Sequence, residues 1–320
     1  MSYVDTMKNS YIIYCAMALF LLAGCKMTSS PSSEPVADIS GNKDWTSIAI
    51  SDDGKYLAAV VWDGHIYTSS NSGKTWRDRS TVGSEISGNK DWYSIAMSDD
   101  GQKLAAVVAS GHIYTYSNSG ATWTNRSTST GSEIAGDKYW FSIAISDDGK
   151  YLAAVAWGGY IYTSSDLGET WSDRSGTGSA IAGNKIWYSI AMSDDGQKLA
   201  AVAYGGHIYT STDLGETWSD RSGTGSEISG NKDWYSIAMS GNGEKLAAVA
   251  WGGHIYTSSN SGAKWADLSI VPDSAIGGNR IWRSIAMSDN GDELAAVAYN
   301  GHLYTATKSG TTWTWTDRSE

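Results

Sequence analysis

The sequence predicts an all-β fold, a six-bladed β-propeller built of four-stranded antiparallel blades, and three observations carry that expectation. The first is a repeat: Trp45, Trp92, Trp140, Trp187, Trp234 and Trp282 each head a W-x-S-I-A segment, spaced 47, 48, 47, 47 and 48 residues apart. The second is the content of each unit, four short strand-like runs separated by Gly-, Asn- and Asp-rich turns. In the first unit these predicted strands, A to D, cover positions 45–51, 56–62, 65–69 and 75–80. The third is that run B is apolar on both faces. A strand of that kind needs cover on both sides, which stacked blades provide and an isolated sheet does not.

The repeats begin near residues 39, 86, 134, 181, 228 and 276 and occupy 39–320 with almost no insertions. A fixed period of this length is the signature of a repeat architecture, and units of equal length take equivalent places in it. No strand-like segment precedes Ile39, so ring closure is expected to rest on side-chain packing between blades 6 and 1. A strand donated by residues 30–38 to blade 6 would be the alternative.

Composition narrows the functional classes. The chain of 320 residues has a net charge of −11, which argues against a nucleic-acid partner, because phosphate binding needs clustered Lys and Arg. Its two cysteines, Cys15 and Cys25, both precede the repeats. The repeats therefore contain no disulfide and no thiolate metal site, and no cofactor is expected.

The front of the chain reads as an export signal. The apolar run from Tyr11 to Ala23 is 13 residues long, too short for a spanning helix but suited to a signal-peptide core. Lys8 supplies the positive start, and Met7 makes a cleaner initiator than Met1. Residues 1–24 are thus expected to be removed. The segment Leu21-Leu22-Ala23-Gly24-Cys25 resembles the lipobox of bacterial lipoproteins, which implies cleavage before Cys25 and lipidation there. Several acyl chains anchor a protein stably where one does not. With Lys26 after the cysteine, the resemblance implies the outer membrane in a Gram-negative host. Residues 25–38 would form a Ser- and Pro-rich tether reaching at most on the order of 40 Å.

The most specific motif lies between runs C and D. It reads SSNSGKTW at 69–76, YSNSGATW at 116–123, SSDLGETW at 164–171, STDLGETW at 211–218, SSNSGAKW at 258–265 and ATKSGTTW at 306–313. An Asx side chain can accept hydrogen bonds from its own turn, and Gly takes a left-handed conformation. These segments resemble the Asp-box (BNR) repeat of sialidase-type propellers. Asp166 and Asp213 match it, Asn71, Asn118 and Asn260 are close substitutes, and Lys308 departs. The resemblance implies a structural role for these residues with Gly73, Trp76, Gly120, Trp123, Gly168, Trp171, Gly215, Trp218, Gly262, Trp265, Gly310 and Trp313. It fixes architecture more than function, since such propellers include glycosidases, lectins, sorting receptors and photosystem assembly factors.

A catalytic centre needs unique residues at one place, and here nearly every reactive side chain recurs. Arg79, Arg126, Arg174, Arg221 and Arg318 share one repeat position. The acids Asp52-Asp53, Asp99-Asp100, Asp147-Asp148 and Asp194-Asp195 sit in repeated S-D-D-G turns, read as hairpin turns. Arg77, Arg280 and Arg283 break the pattern, but no sialidase-type arginine triad or unique carboxylate pair stands out. A non-enzymatic protein is expected, with no metal site.

Binding residues are sought on the end of the ring carrying the longer B–C and D–A loops. Run B ends on Trp62, Ala109, Trp157, Tyr204, Trp251 and Tyr299. His65, His112, His207, His254 and His302 share one position, where Tyr160 stands in the third unit. Lys43, Lys90, Lys138, Lys185, Lys232 and Arg280 form an unbroken basic series. Aromatic faces with Lys and His beside them suit a multivalent site for glycan or protein. The expectation is an anchored, monomeric binding module. The alternative is a scaffold in an envelope complex, with a sialidase-like glycoside hydrolase behind both. Exposure of Trp62, Trp157 and Trp251 is the feature that would favour binding.

Overall fold

The computed structural model describes residues 36–80, 84–117, 122–128, 133–176, 178–223, 226–270, 275–299 and 301–319. Cys25, the leader and most of the expected tether lie outside the described residues. So do Asn118 and Gly120.

The expected architecture is present. Six sheets of four antiparallel strands follow one another, each a simple meander. Blade 1 comprises Trp45–Ile50, Leu57–Val61, Ile66–Ser69 and Arg77–Asp78. The first strand of each blade is innermost and packs against the first strands of its neighbours, as Trp92–Met97 does with Trp45–Ile50 and Trp140–Ile145. In blades 1 to 5 the fourth strand is shorter than the six residues predicted from sequence. It is two residues long in blades 1, 3, 4 and 5, and longer in blade 2 (Thr122–Asn125) and blade 6 (Thr312–Asp317). The preceding turn consumes the missing length.

The core is a series of seams between blades. Trp92, Trp140, Trp187, Trp234 and Trp282 are fully buried. Each meets the strand-C tyrosine of its own blade edge-on, as in Trp92–Tyr114 at 5.3 Å and Trp187–Tyr209 at 5.4 Å. Five isoleucines of the D–A loops, Ile86, Ile134, Ile181, Ile228 and Ile276, plug the same seams with no exposed surface. Polar links run beside this packing. Ser47 Oγ accepts from the Ile95 N–H (3.2 Å), Ser94 from Ile143, Ser142 from Ile190, Ser189 from Ile237 and Ser236 from Ile285.

The seam between blades 6 and 1 differs. Among the described residues, Ser284 makes no matching bond to Ile48, and the strand-on-strand packing found at the other five seams is not repeated. Trp45, Ile48 and Leu57 of blade 1 are half-buried where their counterparts are buried, as are Ala295 and Leu303 of blade 6. Among the described residues, the expected side-chain closure is thus not made in the way of the other five seams. Nor do residues 36–38 complete blade 6. They form no strand, and the Ala37 N–H donates to Trp76 O of blade 1 at 2.7 Å.

Candidate functional site

An antiparallel meander puts the A–B and C–D turns at one end of the ring and the B–C and D–A loops at the other. The turn end is structural in its details. In the third C–D turn Asp166 Oδ1 accepts from the Thr170 N–H (2.8 Å), Gly168 N–H donates to Ser164 Oγ (2.8 Å), and Trp171 Nε1 donates to Gly168 O (3.0 Å). Asp213 with Gly215 and Trp218 repeats this, as do Asn71 with Gly73 and Trp76, and Asn260 with Gly262 and Trp265. The residue before each Gly is left-handed too: Ser72, Leu167, Leu214 and Ser261 have φ between 52° and 57°. Blade 6 corrects the sequence expectation. Lys308 offers no acceptor, so its strands run on as a regular hairpin through Gly310, with Trp313 opposite Lys308.

The two aspartates of each S-D-D-G turn have different jobs. The second closes the turn, as where Asp53 Oδ1 accepts from Ser51 Oγ (2.7 Å) and the Lys55 N–H (2.9 Å). Those bonds hold its carboxyl below the usual range. The first lies at the axis and joins blades through its backbone: Asp52 N–H to Asp99 O, Asp99 to Asp147, Asp147 to Asp194, Asp194 to Gly241 and Gly241 to Asp289. The carboxyls converge there. Burial, the charge of Asp194 and a hydrogen bond with Asp99 push Asp147 up to about 8. Burial and the neighbouring Asp289 push Asp194 up to about 6. Among the described residues no group of His, Cys, Asp and Glu is arranged to hold a metal ion.

At the loop end the repeated polar series are tied into the blades. His65, His207, His254 and His302 hold Asp78, Asp220, Asp267 and Asp317 through Nδ1 at 2.5–2.9 Å. Each lies against a strand-C tyrosine, as His65 does on Tyr67. His112 instead approaches Asp137 at 3.6 Å. The basic series sits over those same tyrosines: Lys43 on Tyr67, Lys90 on Tyr114, Lys138 on Tyr162, Lys185 on Tyr209, Lys232 on Tyr256 and Arg280 on Tyr304, all within 5.9 Å. The backbones of Lys90, Lys138, Lys232 and Arg280 also pair with the B–C turn of the preceding blade. Both series thus brace the blades before they meet any ligand.

The aromatic series is different, and it extends beyond the residues singled out from sequence. A register shift between Trp92 and Ser94, repeated in the other inner strands, places the residue between them at a bulge. That residue is Thr46, Tyr93, Phe141, Tyr188, Tyr235 or Arg283. Four of these rings touch in series across the inner strands: Tyr93–Phe141 (4.9 Å), Phe141–Tyr188 (5.0 Å) and Tyr188–Tyr235 (4.7 Å). The strand-B aromatics lean on this belt, Trp62 on Tyr93, Trp157 on Phe141, Tyr204 on Tyr188 and Trp251 on Tyr235. Arg283 ends the belt, its guanidinium 4.1 Å from the Trp251 ring and 5.3 Å from Tyr299, with Nη1 donating to Tyr235 Oη (2.9 Å). The signal was in the sequence: within W-x-S-I-A only x varies, through Thr, Tyr, Phe, Tyr, Tyr and Arg.

Blade 3 breaks the symmetry. Tyr139, Trp157 and Tyr160 are 39%, 42% and 44% exposed, whereas Trp62 and Trp251 are half-buried. The Trp157 N–H donates to Tyr139 O (2.8 Å), which sets the two side by side. Tyr160 lies three residues on, across Gly158 and Gly159, whose φ values of 94° and 95° a bulkier residue would not adopt readily. Tyr139 lies tilted against Phe141, and the other two rings are stacked. Trp157 stacks on Phe141, and Tyr160 stacks on Tyr162 with Lys138 over the latter. Tyr160 stands where the other blades carry His, and Tyr139 where they carry Asp or Ile. Tyr299, at the Trp157 position of blade 6, is 38% exposed as well, but beside Ile281 rather than a second ring, so among the described residues blade 3 groups the most open aromatics.

The fold and the repeat define a propeller repeat protein, and comparisons with known proteins agree. Residues 33–67 match the family described as "WD domain, G-beta repeat". A solved structure titled "YCF48 bound to D1 peptide" is similar, at 17% identity and TM-score 0.59, covering 85% of this chain and 81% of that one. The GH74 xyloglucanase from Xanthomonas campestris is similar at 13% identity and TM-score 0.60, covering 84% of this chain and 46% of that one. The Cps50 (Swd1) β-propeller domain of Myceliophteria thermophila is similar at 15% identity and TM-score 0.62, covering 84% of each chain. At these identities the likeness is one of fold. No curated protein matches the sequence.

Proposed function

We propose that this protein is an extracytoplasmic binding module, held to the bacterial envelope by a lipid on Cys25, that takes a glycan on the aromatic locus of blade 3. The observation that carries the reading is the exposure of Tyr139, Trp157 and Tyr160 against packed aromatic neighbours. Flat aromatic side chains give large contact area at low cost in side-chain entropy. Pre-packed rings lose less still on binding. The Asx turns are read as Asp-boxes that stabilise the opposite end. Lipid anchoring in the outer membrane rests on the match of residues 21–25 to a lipobox. Binding rather than hydrolysis is preferred because the acids recur around the ring and the axial ones lie at the opposite end from the locus.

Protein recognition, as part of an envelope scaffold, is the second reading. It is favoured by one finding, that a propeller of similar fold is described as bound to a peptide. A glycan array separates the two. Binding by the full chain that disappears in Trp157→Ala supports the glycan reading. No glycan bound by the wild-type chain, together with retention of an envelope protein that Trp157→Ala loses, would replace it with the second.

A further inference from the structure

The two faces at the open seam are halves of one joint. At each closed seam, an inner-strand alanine of one blade packs with the Met or Ile two residues after the W-x-S-I segment of the next blade. Ala49 and Met97 share one cluster, Ala96 and Ile145 the next, then Ala144 with Met192, Ala191 with Met239, and Ala238 with Met287. The series continues to Ala286 of blade 6 and Ile50 of blade 1. There the partners do not meet: Ala286 is exposed and Ile50 is 39% exposed. The sixth cluster holds blade-1 residues with Ala37 and Ile39 and nothing from blade 6.

Terminal units of repeat proteins normally carry polar outer faces that cap the stack. These do not. Blade 1 leaves Trp45, Ile48 and Leu57 only half-buried, at positions that its successors bury. Blade 6 leaves Ala295 and Leu303 half-buried, at positions matching the buried Ala58 and Ile66 of the first seam. Apolar faces of this kind cost free energy in water. The surface that fits the open face of blade 1 is known from five examples in the molecule, and blade 6 of any copy of this chain carries it.

We propose that a second copy of this chain covers the seam, blade 6 of one molecule packing on blade 1 of the next. The contact is heterologous, head to tail, and so builds either a closed ring of copies or an open string. It replaces the monomer expected from sequence and is independent of the blade-3 ligand.

The test uses two single variants of the full chain in detergent, Ile50→Cys and Ala286→Cys, both at exposed positions. After mixing and mild oxidation, peptide mass spectrometry should find the 50–286 disulfide, which in this mixture can form only between copies. Light scattering should show assembly rising with concentration. Ile50→Asp should raise the concentration needed by tenfold or more, with circular dichroism unchanged. A chain that stays monomeric at all concentrations with no 50–286 linkage overturns the proposal. So does a double variant, Ile50→Cys with Ala286→Cys, whose 50–286 bond forms only within one monomeric chain, because the ring would then close on itself.

Discussion

Trp157 lies stacked on Phe141, ring centroids 6.0 Å apart, with 42% of its surface open to solvent. Phe141 in turn packs on Tyr93 and Tyr188. The proposed ligand face and a load of inter-blade packing therefore meet in adjacent side chains. Trp157→Ala should remove the first and spare the second, with thermal stability little changed. Phe141→Ala, at a buried position, should cost about 3–5 kcal/mol. A thermal melt of both variants checks the contrast.

The C–D turns test the role of the Asx oxygen. Asp213 accepts from the Thr217 N–H through Oδ1 (2.9 Å) and from the Thr217 hydroxyl through Oδ2 (2.6 Å). Asn71 and Asn260 keep the first bond in their own turns. Asp213→Asn should therefore be mild, while Asp213→Ala should cost about 1–2 kcal/mol. Equal losses in the two variants, measured by denaturant unfolding, would contradict this account.

Leu214 has φ of 52°, a conformation that a side chain makes costly. Leu214→Asn or Leu214→Gly should relieve up to about 1 kcal/mol, provided that the turn bonds of Asp213 persist. A raised midpoint in the same unfolding assay is the expected result. A lowered one would show that the leucine contacts outweigh the strain.

The axial aspartates set a pH dependence. Asp147 and Asp194 are raised in the folded chain, to about 8 and about 6, by burial first and then by neighbouring carboxyls. A carboxyl raised above its unfolded value of about 4 contributes stability that is complete below that value and lost as pH climbs through the folded values. The melting temperature should fall between pH 5 and 8.5. Asp147→Asn, which cannot ionise, should flatten that fall. A wild-type profile that is level or rising across this range would refute the assignment.

Much of the fold was legible because the repeat states each strand six times. The W-x-S-I-A run, the apolar B run and the Asx turns gave all four strands of each blade in order. The fourth strand was overestimated, because Thr75 and Trp76 look extended in sequence but belong to the turn through the Asn71 and Gly73 bonds. Trp157 was legible as a candidate. Tyr93, Phe141, Tyr188 and Tyr235 were missed although the variable x of W-x-S-I-A marks them, because strict alternation does not reveal the bulge after Trp92 that sets them apart. The histidine and lysine series were legible as positions but not in their contacts. Recurrence drew attention to them, yet their carboxylate and tyrosine partners lie in the adjoining strands, a relation that one strand's sequence does not display. The open seam was illegible as well, since blades 1 and 6 carry the same apolar residues as blades that are covered.

The central claim is that binding is concentrated at blade 3 rather than spread equally around the ring. Trp157 and Trp251 occupy the same repeat position, so they form a matched pair. Titration of the full chain with a glycan identified on the array, repeated for Trp157→Ala and Trp251→Ala, tests this directly. The prediction is an affinity loss of tenfold or more, about 1.4 kcal/mol, for Trp157→Ala and little change for Trp251→Ala. Equal losses in both variants, or none in Trp157→Ala, would contradict it.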